Sequence, residues 1–543
     1  MFSLKYKYTC KMIKGKTVGE GAYGKVYLAT SPDSQEDESQ KKSYALKRNI
    51  VESEVDFAGN LRELDILLRL KNHPNIVKIE QVIYGAPFSS GKLSPTRDGY
   101  KDDILHFVLE KADTDLHNFI YSSMQLTDLK SLLVDTLLGL EYMHHNNILH
   151  RDIKPGNLLL FFDVYDRNLP PKVKLCDFGL SKFYTSQEPQ TPRMVTPWYR
   201  APEIAMGCKD YDGKIDVWSL GCVIYQMITH RGFVESRDND MEILAKILKQ
   251  LPKRLPPSET RKLKEDYSVR LPRGRRKAFQ KELFPTSEDR ENFERQVGSV
   301  RSFTALVSSM LQFFPNKRPT VTEVLDNPFF SDFADKIEES RRVYLHSEEN
   351  ACFSEDEHRI TIQSSQERKW AANLAFYFYN ENYSKPNGLR WYKPRILFQA
   401  IDLFDRYLEY ISSEESSPIR QKSTEKLFEE QVQTEIRFIT CIYIAIKYFA
   451  TLETPISYID ISENLFTIEG TQEFAQRFEK ELLEKVFKYK VYRPTVFECA
   501  DMFDDKLDET DIRNLLMIYG SCEAKNNIDL KVLYEEIRQF KYE

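Results

Sequence analysis

A short polar motif in the first half of the chain has the residue types that phosphoryl transfer requires. HRDIKPGNLLL, His150–Leu160, contains Asp152, with Lys154 two residues later and Asn157 five residues later. Asp152 could orient a substrate hydroxyl and accept its proton, while Lys154 could offset charge on the moving phosphoryl group. Asn157 could join Asp177 of CDFG in holding Mg²⁺, because this hard cation prefers carboxylate and amide oxygens.

A glycine-rich stretch near the N-terminus could approach the phosphates of a nucleotide. TVGEGAYGKVYLA contains Gly19, Gly21 and Gly24, and this spacing lets backbone amides reach phosphate oxygens without a side-chain clash. Alone, the pattern fits a hairpin with no ligand about as well. YALKR places Lys47 on a predicted strand, where its charge could hold the α and β phosphates. A strand lysine is by itself usually a solvated one.

The order of these motifs resembles that of eukaryotic protein kinases. RAPE (Arg200–Glu203) and DVWSLGC (Asp216–Cys222) follow in the expected order, and the resemblance covers about 320 residues. It implies an α+β bilobal fold that uses ATP and Mg²⁺. The catalytic residues that it implies are Lys47, Glu63, Asp152, Lys154, Asn157 and Asp177, with Asn157 and Asp177 as metal ligands. All of these positions are filled, which argues against a pseudokinase.

The same resemblance implies a set of nucleotide-binding residues. Adenine would dock on LHFVLEKADTDL, with Leu109 behind it. The implied contacts are Val18, Gly19, Glu20, Gly21, Ala22, Tyr23, Gly24, Val26, Ala45, Lys47, and the backbone of Glu110 and Ala112.

Two segments resemble cyclin-dependent kinases in particular. RELDILLRLKNHPNIVKI (Arg62–Ile79) resembles their signature helix and its following turn, and VTPWYRAPE resembles their activation segment. By this likeness Glu63 pairs with Lys47 when the helix swings inward, which a bound cyclin brings about. The usual helix signature PSTAIRE is FAGNLRE here, so only its last two residues match. This difference argues against recognition of an ordinary separate cyclin.

The resemblance also implies regulation by phosphorylation. Thr191 lies where the family has its activating phosphothreonine, and Arg62, Arg151 and Lys182 occupy the positions that would bind the phosphate. A separate activating kinase is one possible source of that phosphate. The alternative is an ordinary loop threonine, since such loops are often rich in threonine. Tyr23 is a candidate for inhibitory phosphorylation, because its neighbour is alanine where many relatives have threonine.

The substrate-binding loop predicts the class of protein substrate. VTPWYR resembles the loop of proline-directed kinases, in which Val195 and Arg200 disfavour a residue with a backbone N–H after the phosphoacceptor; proline lacks that group. HRDIKP resembles the catalytic loop of serine/threonine kinases and differs from that of tyrosine kinases. Protein substrates with Ser-Pro or Thr-Pro sites are therefore the predicted partners.

The second half of the chain predicts helices alone. Residues 366–490 contain about five helical patterns, which indicate a helical bundle and no specific chemistry. AIDLFDRYL and AIKYFATLE resemble the cyclin box, and this likeness makes Lys447 the candidate contact with the kinase helix. The alternative is a lysine that extends to solvent from a helix end. The best register of the fifth helix places Lys480, flanked by Glu479 and Glu481, where the family has a glutamate.

These patterns predict four segments and one leading function. Residues 1–330 form a kinase domain, with a small lobe at about 12–112 and a large lobe at about 113–330. Residues 331–365 are a linker or wrapping segment, 366–495 a cyclin-like domain, and 496–543 a helical tail or truncated second box. The predicted function is a serine/threonine kinase activated in cis by its cyclin-like half. The alternative is a scaffold whose second half recruits a different kinase.

Composition restricts the cellular setting. With 77 basic and 83 acidic residues the net charge of −6 gives no electrostatic case for nucleic-acid binding. The basic run LPRGRRKAF (Leu271–Phe279) could bind nucleic acid or act as a nuclear address, but such runs are more often solvated faces. Eight cysteines without C-x-x-C spacing favour a reducing compartment. We expect a soluble intracellular protein, nuclear or cytoplasmic, without a signal peptide or membrane span.

Overall fold

The chain divides into two compact units in the computed structural model. The first unit comprises Met1–Ile50, Arg69–Tyr184 and Glu188–Cys352, and the second comprises Val51–Leu68, Thr185–Gln187 and Phe353–Glu543. The structure describes residues 13–21, 24–30, 43–49, 54–70, 73–84, 105–122, 124–166, 168–184, 197–209, 211–235, 240–259, 261, 263, 278–345, 359–362, 371, 375, 394–414, 436–445, 475, 478–479, 482 and 525–529.

The first unit begins with a five-stranded antiparallel sheet of order β1-β2-β3-β5-β4. Its strands are β1 (Ile13–Gly21), β2 (Gly24–Thr30), β3 (Ser43–Asn49), β4 (Ile79–Tyr84) and β5 (Leu105–Glu110).

The alternation of side chains along a strand gives this sheet two different faces. One face buries a small apolar cluster of Tyr27, Ala29, Leu46 and Val108. The register pairs Val26 with Lys47, and Ala45 with both Leu28 and Leu109, so these residues share the other face. Val26, Ala45 and Leu109 are partly exposed there, and Lys47 is buried. The sheet therefore presents one lysine on a partly open apolar surface.

The rest of the first unit is mainly helical, around α3 (Leu129–His145) and α5 (Lys214–Thr229). Most residues of both helices are buried, as expected for helices that pack against neighbours on more than one side. The other helices are α2 (Leu116–Ser122), α4 (Pro202–Ala205), α6 (Asp240–Gln250), α7 (Phe279–Leu283), α8 (Ser287–Gln296), α9 (Val300–Met310), α10 (Val321–Leu325) and α11 (Ala334–Tyr344). Short strands β6 (Thr114–Asp115), β8 (Leu158–Phe161) and β9 (Lys172–Leu175) form one small sheet, and β7 (Ile148–Leu149) pairs with β10 (Lys182–Phe183).

A tight turn attaches the sheet part to the helical part. Leu175 of β9 donates its N–H to the Asn75 carbonyl at 2.8 Å and accepts from Val77 N–H at 2.9 Å. The Asn75 amide donates to the Val173 carbonyl at 2.9 Å. Gly139 of α3 lies beneath this turn, because a Cβ there would come 2.9 Å from the Asn75 carbonyl oxygen. The approach of α3 therefore requires glycine at this position.

Helix α11 lies within residues 331–365, for which the sequence predicts a linker or wrapping segment. It packs on α3 through ion pairs of Lys336 with Asp135 and of Arg341 with Glu141. The charged sequence of α11 lacks a clean apolar stripe, because these contacts are mainly ionic and only Ile337 is buried in the helix. Its Tyr344 ring meets the ring of His73 edge to face, with centroids 4.7 Å apart.

The second unit contains helix α1 (Glu54–Leu70) except for its last two residues, helix α12 (Pro394–Glu414) and a helical segment at 436–445. The prediction of helices alone after Phe330 is wrong, because β11 (Arg359–Ile362) pairs antiparallel with β12 (Lys525–Asp529). The strands lie far apart in sequence, and the polar KNNID of β12 has no β-like alternation. The helical prediction for the tail 496–543 is wrong at this strand.

The C-terminal part of helix α1 is buried. Asn60 and every residue from Arg62 to Leu70 are buried, including four charged ones: Arg62, Glu63, Asp65 and Arg69. Among the described residues, no helix combines the length and apolarity that a bilayer crossing needs.

Candidate active site

An ion pair joins the sheet of the first unit to the segment that follows β9. Lys47 Nζ lies 2.9 Å from Asp177 Oδ1. Burial alone would raise the pKa of the Asp177 carboxyl, but the charge and hydrogen bond of Lys47, with smaller effects of Lys154 and His150, hold that pKa below its ordinary value. Asp177 is therefore a carboxylate at neutral pH. It has left-handed backbone with φ of 64°, which aspartate tolerates better than most residues.

The acidic residue of the HRD motif is held by its two polar neighbours. Lys154 Nζ donates to Asp152 Oδ2 at 2.6 Å. The Asn157 amide donates to the same Oδ2 at 3.0 Å and to the Asp152 carbonyl at 2.9 Å. A tight turn beginning at Pro155 brings Asn157 back toward Asp152. The structure therefore brings together the three residues that sequence spacing singled out.

Asp216 of α5 supports the backbone of this loop from below. Its two carboxylate oxygens accept the N–H groups of His150 at 3.0 Å and Arg151 at 2.8 Å, and His144 Nε2 donates to it at 2.8 Å. Burial raises the pKa of Asp216, but these hydrogen bonds and nearby histidines outweigh it and leave the pKa lowered. Arg151 is thereby held at a φ of 66°, a left-handed conformation that costs about 1–2 kcal/mol for such a residue.

His150 connects the HRD loop to the CDFG segment. Its Nδ1 accepts the N–H of Asp152 at 3.3 Å, and its Nε2 donates to the Cys176 carbonyl at 3.1 Å. Burial lowers the pKa of His150 against the opposing effect of nearby carboxylates. A neutral imidazole satisfies both nitrogens here, and its ring packs on Phe178 with centroids 5.4 Å apart.

The predicted adenine-binding strand ends at a carboxylate that is tied to the small sheet. Glu110 accepts from Lys174 Nζ at 2.7 Å and 2.9 Å, and from the N–H of Lys78 at 2.7 Å. Ala112 follows in the partly exposed connection to β6. The predicted phosphate-binding stretch lies where β1 pairs with β2. Gly19 pairs with Val26, Glu20 with Lys25 and Gly21 with Gly24. The Val18 side chain is exposed.

The predicted regulatory and substrate residues have separate surroundings. Arg151 is buried and donates through Nε to the Leu180 carbonyl at 2.8 Å and through Nη1 to Tyr211 Oη at 3.1 Å. Arg200 forms an ion pair with Asp240, the first residue of α6. Lys182 is buried on β10.

Several predicted residues cannot be placed with this group. Ala22, Tyr23, Thr191, Val195, Lys447, Lys480 and Glu481 lie outside the described residues. Glu63 and Arg62 belong to the second unit, so the predicted pairing of Glu63 with Lys47 stays a prediction. Glu479 is buried in the second unit.

Sequence reasoning missed three residues that support the site. His144, Asp216 and Arg318 have no spacing that indicates their partners. Arg318 is buried and forms two hydrogen bonds with Glu203 of RAPE, at 2.7 Å and 2.9 Å. Asp216 and Glu203 belong to the motifs DVWSLGC and RAPE, but their partners were not predicted. An acidic residue in an otherwise apolar segment indicates a buried carboxylate that needs a partner, and this was the signal that the sequence offered.

Comparison with known proteins decides the family. The family model described as protein kinase domain matches residues 12–330, more than half of the chain. The chain is 32% identical over 366 residues to mitogen-activated protein kinase 6 of Oryza sativa subsp. japonica, covering 66% of this chain and 86% of that protein. The chain belongs to the protein kinase family. In this kinase the site described above falls entirely within the matched residues.

Two other relatives bear on the subtype. Mitogen-activated protein kinase 13 of Arabidopsis thaliana is 31% identical over 382 residues, covering 69% of this chain and 93% of that protein. The mitogen-activated protein kinase homolog NTF6 of Nicotiana tabacum is 34% identical over 322 residues, covering 58% of this chain and 76% of that protein. These relatives support a serine/threonine protein kinase. They are mitogen-activated kinases, so the predicted likeness to cyclin-dependent kinases has no support from them.

Proposed function

We propose that this kinase transfers the γ-phosphoryl group of ATP to serine or threonine before proline in proteins. The observation that carries the proposal is the ion pair of Lys47 with Asp177 in the same unit as the Asp152–Lys154–Asn157 cluster. This combination offers a cation for phosphates, a carboxylate for the cation Mg²⁺ and a second carboxylate for the substrate hydroxyl. The alternative of a non-catalytic scaffold gives no reason for these groups to be retained together.

The donor set near Asp177 fits Mg²⁺. Lys47 Nζ donates a hydrogen bond to Oδ1 of Asp177, and the amide nitrogen of Asn157 donates to Asp152. The other oxygens, Asp177 Oδ2 and Asn157 Oδ1, make no hydrogen bond with any described residue. Carboxylate and amide oxygens are the ligands that Mg²⁺ takes from proteins. Bound Mg²⁺ would neutralise charge on the phosphates of ATP.

The kinase's own residues would position the acceptor and move its proton. The Asp152 carboxylate, fixed by Lys154 and Asn157, would hold the substrate hydroxyl and accept its proton as transfer proceeds. Lys154 would then lie beside the transferred group. Lys47 would hold the nonreacting phosphates, while Val26, Ala45 and Leu109 offer the apolar surface that an adenine ring needs.

Variants at two aspartates test the catalytic roles. Asp152→Asn should retain ATP binding and lose most transfer, because the phosphates and Mg²⁺ are held elsewhere. Asp177→Asn should lose Mg²⁺-dependent ATP binding as well. Calorimetric ATP titration and phosphorylation of a Ser-Pro peptide separate these results. Transfer by Asp152→Asn near the wild-type rate would contradict the assignment.

We attribute the preference for proline to the segment around Arg200. Asp240 holds the Arg200 side chain, so the segment has a fixed support on α6. Peptides with Ser-Pro should react at least tenfold faster than the same peptides with Ser-Ala, a difference of about 1.4 kcal/mol in transition-state binding. Equal rates would leave a serine/threonine kinase without that preference.

We also propose that residues 353–543 regulate the kinase in cis. The burial of Arg62, Glu63 and Asp65 on α1 supports this, as does the division of the chain, which assigns Val51–Leu68 to the same unit as Phe353–Glu543. The likeness of AIDLFDRYL and AIKYFATLE to the cyclin box supports the same idea, with Lys447 as the contact. A covering partner would hold Glu63 toward Lys47 only by binding that state better.

A cleavable link tests regulation in cis without removing either half. A protease site placed within residues 346–358, between α11 and β11, cuts the chain once, so that Val51–Leu68 stays on the fragment with the first unit and the C-terminal part of the second unit becomes a separate chain. The uncut kinase should keep its specific activity on dilution. The cut kinase should lose activity on dilution, because the effective concentration from the tether, roughly millimolar, is gone. Equal dilution behaviour of the cut and uncut proteins, with the halves separated by gel filtration, would reject the proposal.

A further inference from the structure

A groove with several charged and polar side chains lies in the helical part of the first unit, and none of its lining residues is assigned to catalysis. Its volume is about 530 Å³, and its lining includes Lys253, Gln280, Arg301, Thr304, Ser308 and Lys317. This volume is within the range of ligand-binding clefts, about 300–1,000 Å³. None of these side chains takes part in the site around Asp152 and Asp177.

The amphipathic sequence of α9 produces the floor of the groove. One side of this helix buries Val300, Phe303, Leu306, Val307 and Met310. The other side carries Arg301, Thr304, Ala305 and Ser308, which are charged or small. Because small side chains project little, the walls formed by residues before and after the helix rise above this floor. The outer side of α9 is therefore concave.

The charge of the groove has one sign. Lys253, Arg301 and Lys317 are cations, and no lining residue is acidic or aromatic. Lys317 lies 3.2 Å from Glu259 and over the ring of Phe314, and so is partly neutralised. Lys253 and Arg301 make no hydrogen bond or ion pair with any described residue. Two unneutralised cations in a concavity create a local positive potential in a chain whose net charge is −6.

A buried hydroxyl in the same groove has no partner. Thr304 Oγ1 is inaccessible to solvent and has no hydrogen bond among the described groups. Thr136 and Thr229, in other helices of this unit, donate to the carbonyl four residues back, both at 2.8 Å. An unsatisfied buried hydroxyl costs about 1–3 kcal/mol. Rotation of the Thr304 side chain toward the groove would bring this hydroxyl to a ligand oxygen, which could then accept its hydrogen bond and remove this cost.

We propose that this groove binds a phosphorylated serine or threonine within a peptide segment of another protein. A phosphate has about two negative charges and three acceptor oxygens, which match two free cations and a set of hydroxyl and amide donors. From Arg301 to Met310 the helix rise gives about 14 Å, the length of about four extended residues. The absence of an acidic lining residue disfavours amines, and the absence of an aromatic one disfavours stacked bases.

The inference goes beyond the proposed transfer reaction and does not depend on it. A kinase that holds a phosphorylated segment in a separate groove would retain proteins that already carry one phosphate. The basic run Arg273–Lys277 ends three residues before Gln280, but it lies outside the described residues and is not part of the groove. Binding can be measured without ATP, so failure of one proposal is distinguishable from failure of the other.

Fluorescence anisotropy of the full chain tests binding directly. The probe is a labelled degenerate heptapeptide pool with a fixed phosphoserine-proline pair, and its control is the same pool without phosphate. The phosphorylated pool should bind at least tenfold more tightly, and the difference should shrink as salt rises. Equal affinity of both pools, or no binding up to millimolar peptide, would overturn the proposal. Tighter binding of a mixed-sequence 12-nucleotide single strand would do the same.

Variants locate the binding to the groove. The double variant Lys253→Ala/Arg301→Ala should weaken binding of the phosphorylated pool at least tenfold. The matched control Lys172→Ala/Arg295→Ala removes two exposed cations outside the groove and should leave binding unchanged. Thr304→Val keeps the shape, so it should not lower the melting temperature, yet it should weaken phosphopeptide binding severalfold. Equal effects of the two double variants, or no effect of Thr304→Val, would contradict the assignment.

Discussion

His144 Nε2 lies 2.8 Å from Asp216 Oδ2, and Gly213 leaves the space in which the His144 ring lies. A Cβ at Gly213 would come 2.6 Å from two atoms of that ring. Asp216 in turn accepts the N–H groups of His150 and Arg151. A glycine in the turn before α5 is therefore linked, through a histidine and an aspartate, to the backbone of the HRD loop.

Gly213→Ala should displace His144 and weaken the support of that loop. The loss of a hydrogen bond to a buried carboxylate predicts a decrease of about 1–3 kcal/mol in the free energy of unfolding, together with a lower transfer rate. Gly59→Ala is the control, because a Cβ there meets nothing within 4 Å. Denaturant unfolding and peptide phosphorylation measure the two effects. Gly59→Ala should be slightly stabilising, as alanine is in a helix, and a Gly213→Ala variant as stable as wild type would show that the ring moves aside without cost.

Glu203 and Arg318 form a buried pair whose single removal should be costly. The Arg318 side chain is fully buried, forms two hydrogen bonds with Glu203 and lies over the Trp218 ring at 5.2 Å. Glu203→Gln leaves an uncompensated guanidinium in the interior, so we expect a loss of about 3–5 kcal/mol. The exposed pair Arg342–Glu339 is the control, and Glu339→Gln should cost less than about 1 kcal/mol. Chemical denaturation distinguishes these values, and similar small losses would contradict the prediction.

His73 predicts how stability changes with pH. Its ring stacks on Tyr142 with centroids 4.7 Å apart, and burial lowers its pKa from 6.5 to about 3. Between these values the unfolded chain binds a proton that the folded chain does not, so stability falls as pH decreases below about 6.5. Each pKa unit corresponds to about 1.4 kcal/mol. From pH 6.5 to 4.5 His73 should therefore account for a loss of about 2–3 kcal/mol.

His73→Phe should reduce this slope by the stated amount. Part of the pH dependence of stability should remain in this variant, because burial also lowers the pKa of His150. The carboxyl groups of Asp177 and Asp216 have lowered pKa values, so they affect stability only in more acid solutions. His117→Phe replaces an exposed histidine and should leave the slope unchanged. Urea unfolding at intervals between pH 7 and 4.5 gives the slopes. The same slope in His73→Phe and wild type would refute the assignment.

Local spacing in the sequence predicted the parts of the site that a single turn brings together. Asp152, Lys154 and Asn157 are at most five residues apart, and they contact one another as their spacing indicates. Lys47 and Asp177 are 130 residues apart, so their spacing does not predict a contact, and only the family resemblance places both in one site. His144–Asp216 and Glu203–Arg318 are 72 and 115 residues apart. No sequence window contains both members of such a pair, because tertiary packing alone brings them together.

The two strands of the second unit show the same limit. Arg359–Ile362 and Lys525–Asp529 pair across most of that unit. KNNID has little intrinsic strand preference, so its conformation depends on the partner strand more than on its own residues. The helical pattern of α12, by contrast, is local, and the prediction of a helix there agrees with Pro394–Glu414.

Thr191 is followed by Pro192, which gives the chain a Thr-Pro sequence at its own predicted activating position. If transfer is directed to such sites, one copy of the kinase can phosphorylate another. Protein produced in bacteria should then carry phosphate on Thr191, and the Asp152→Asn variant should not. Mass spectrometry of both proteins measures this. Full phosphorylation of Thr191 in Asp152→Asn would assign the reaction to another enzyme.

Helix α11 should be required for the stability of the first unit, although the matched kinase domain ends at residue 330. Its Lys336 and Arg341 pair with Asp135 and Glu141 of α3, and both carboxylates are buried. Arg341 also reaches Asp326 at 2.8 Å, and these contacts raise its already high pKa further. Removal of α11 exposes or leaves unpaired two carboxylates that belong to the central helix.

Chains that end at Phe330 and at Leu345 test this requirement. The chain ending at Phe330 should have a lower melting temperature than the chain ending at Leu345. The double variant Lys336→Ala/Arg341→Ala in the longer chain should show part of the same decrease in melting temperature. Lys130→Ala is a useful comparison, because its partner Asp332 is largely exposed and the pair contributes little. Truncation at Phe330 therefore removes structure from the first unit itself. If both chains melt at the same temperature, α11 contributes nothing to that unit, and loss of activity in either chain reflects the absence of residues 353–543.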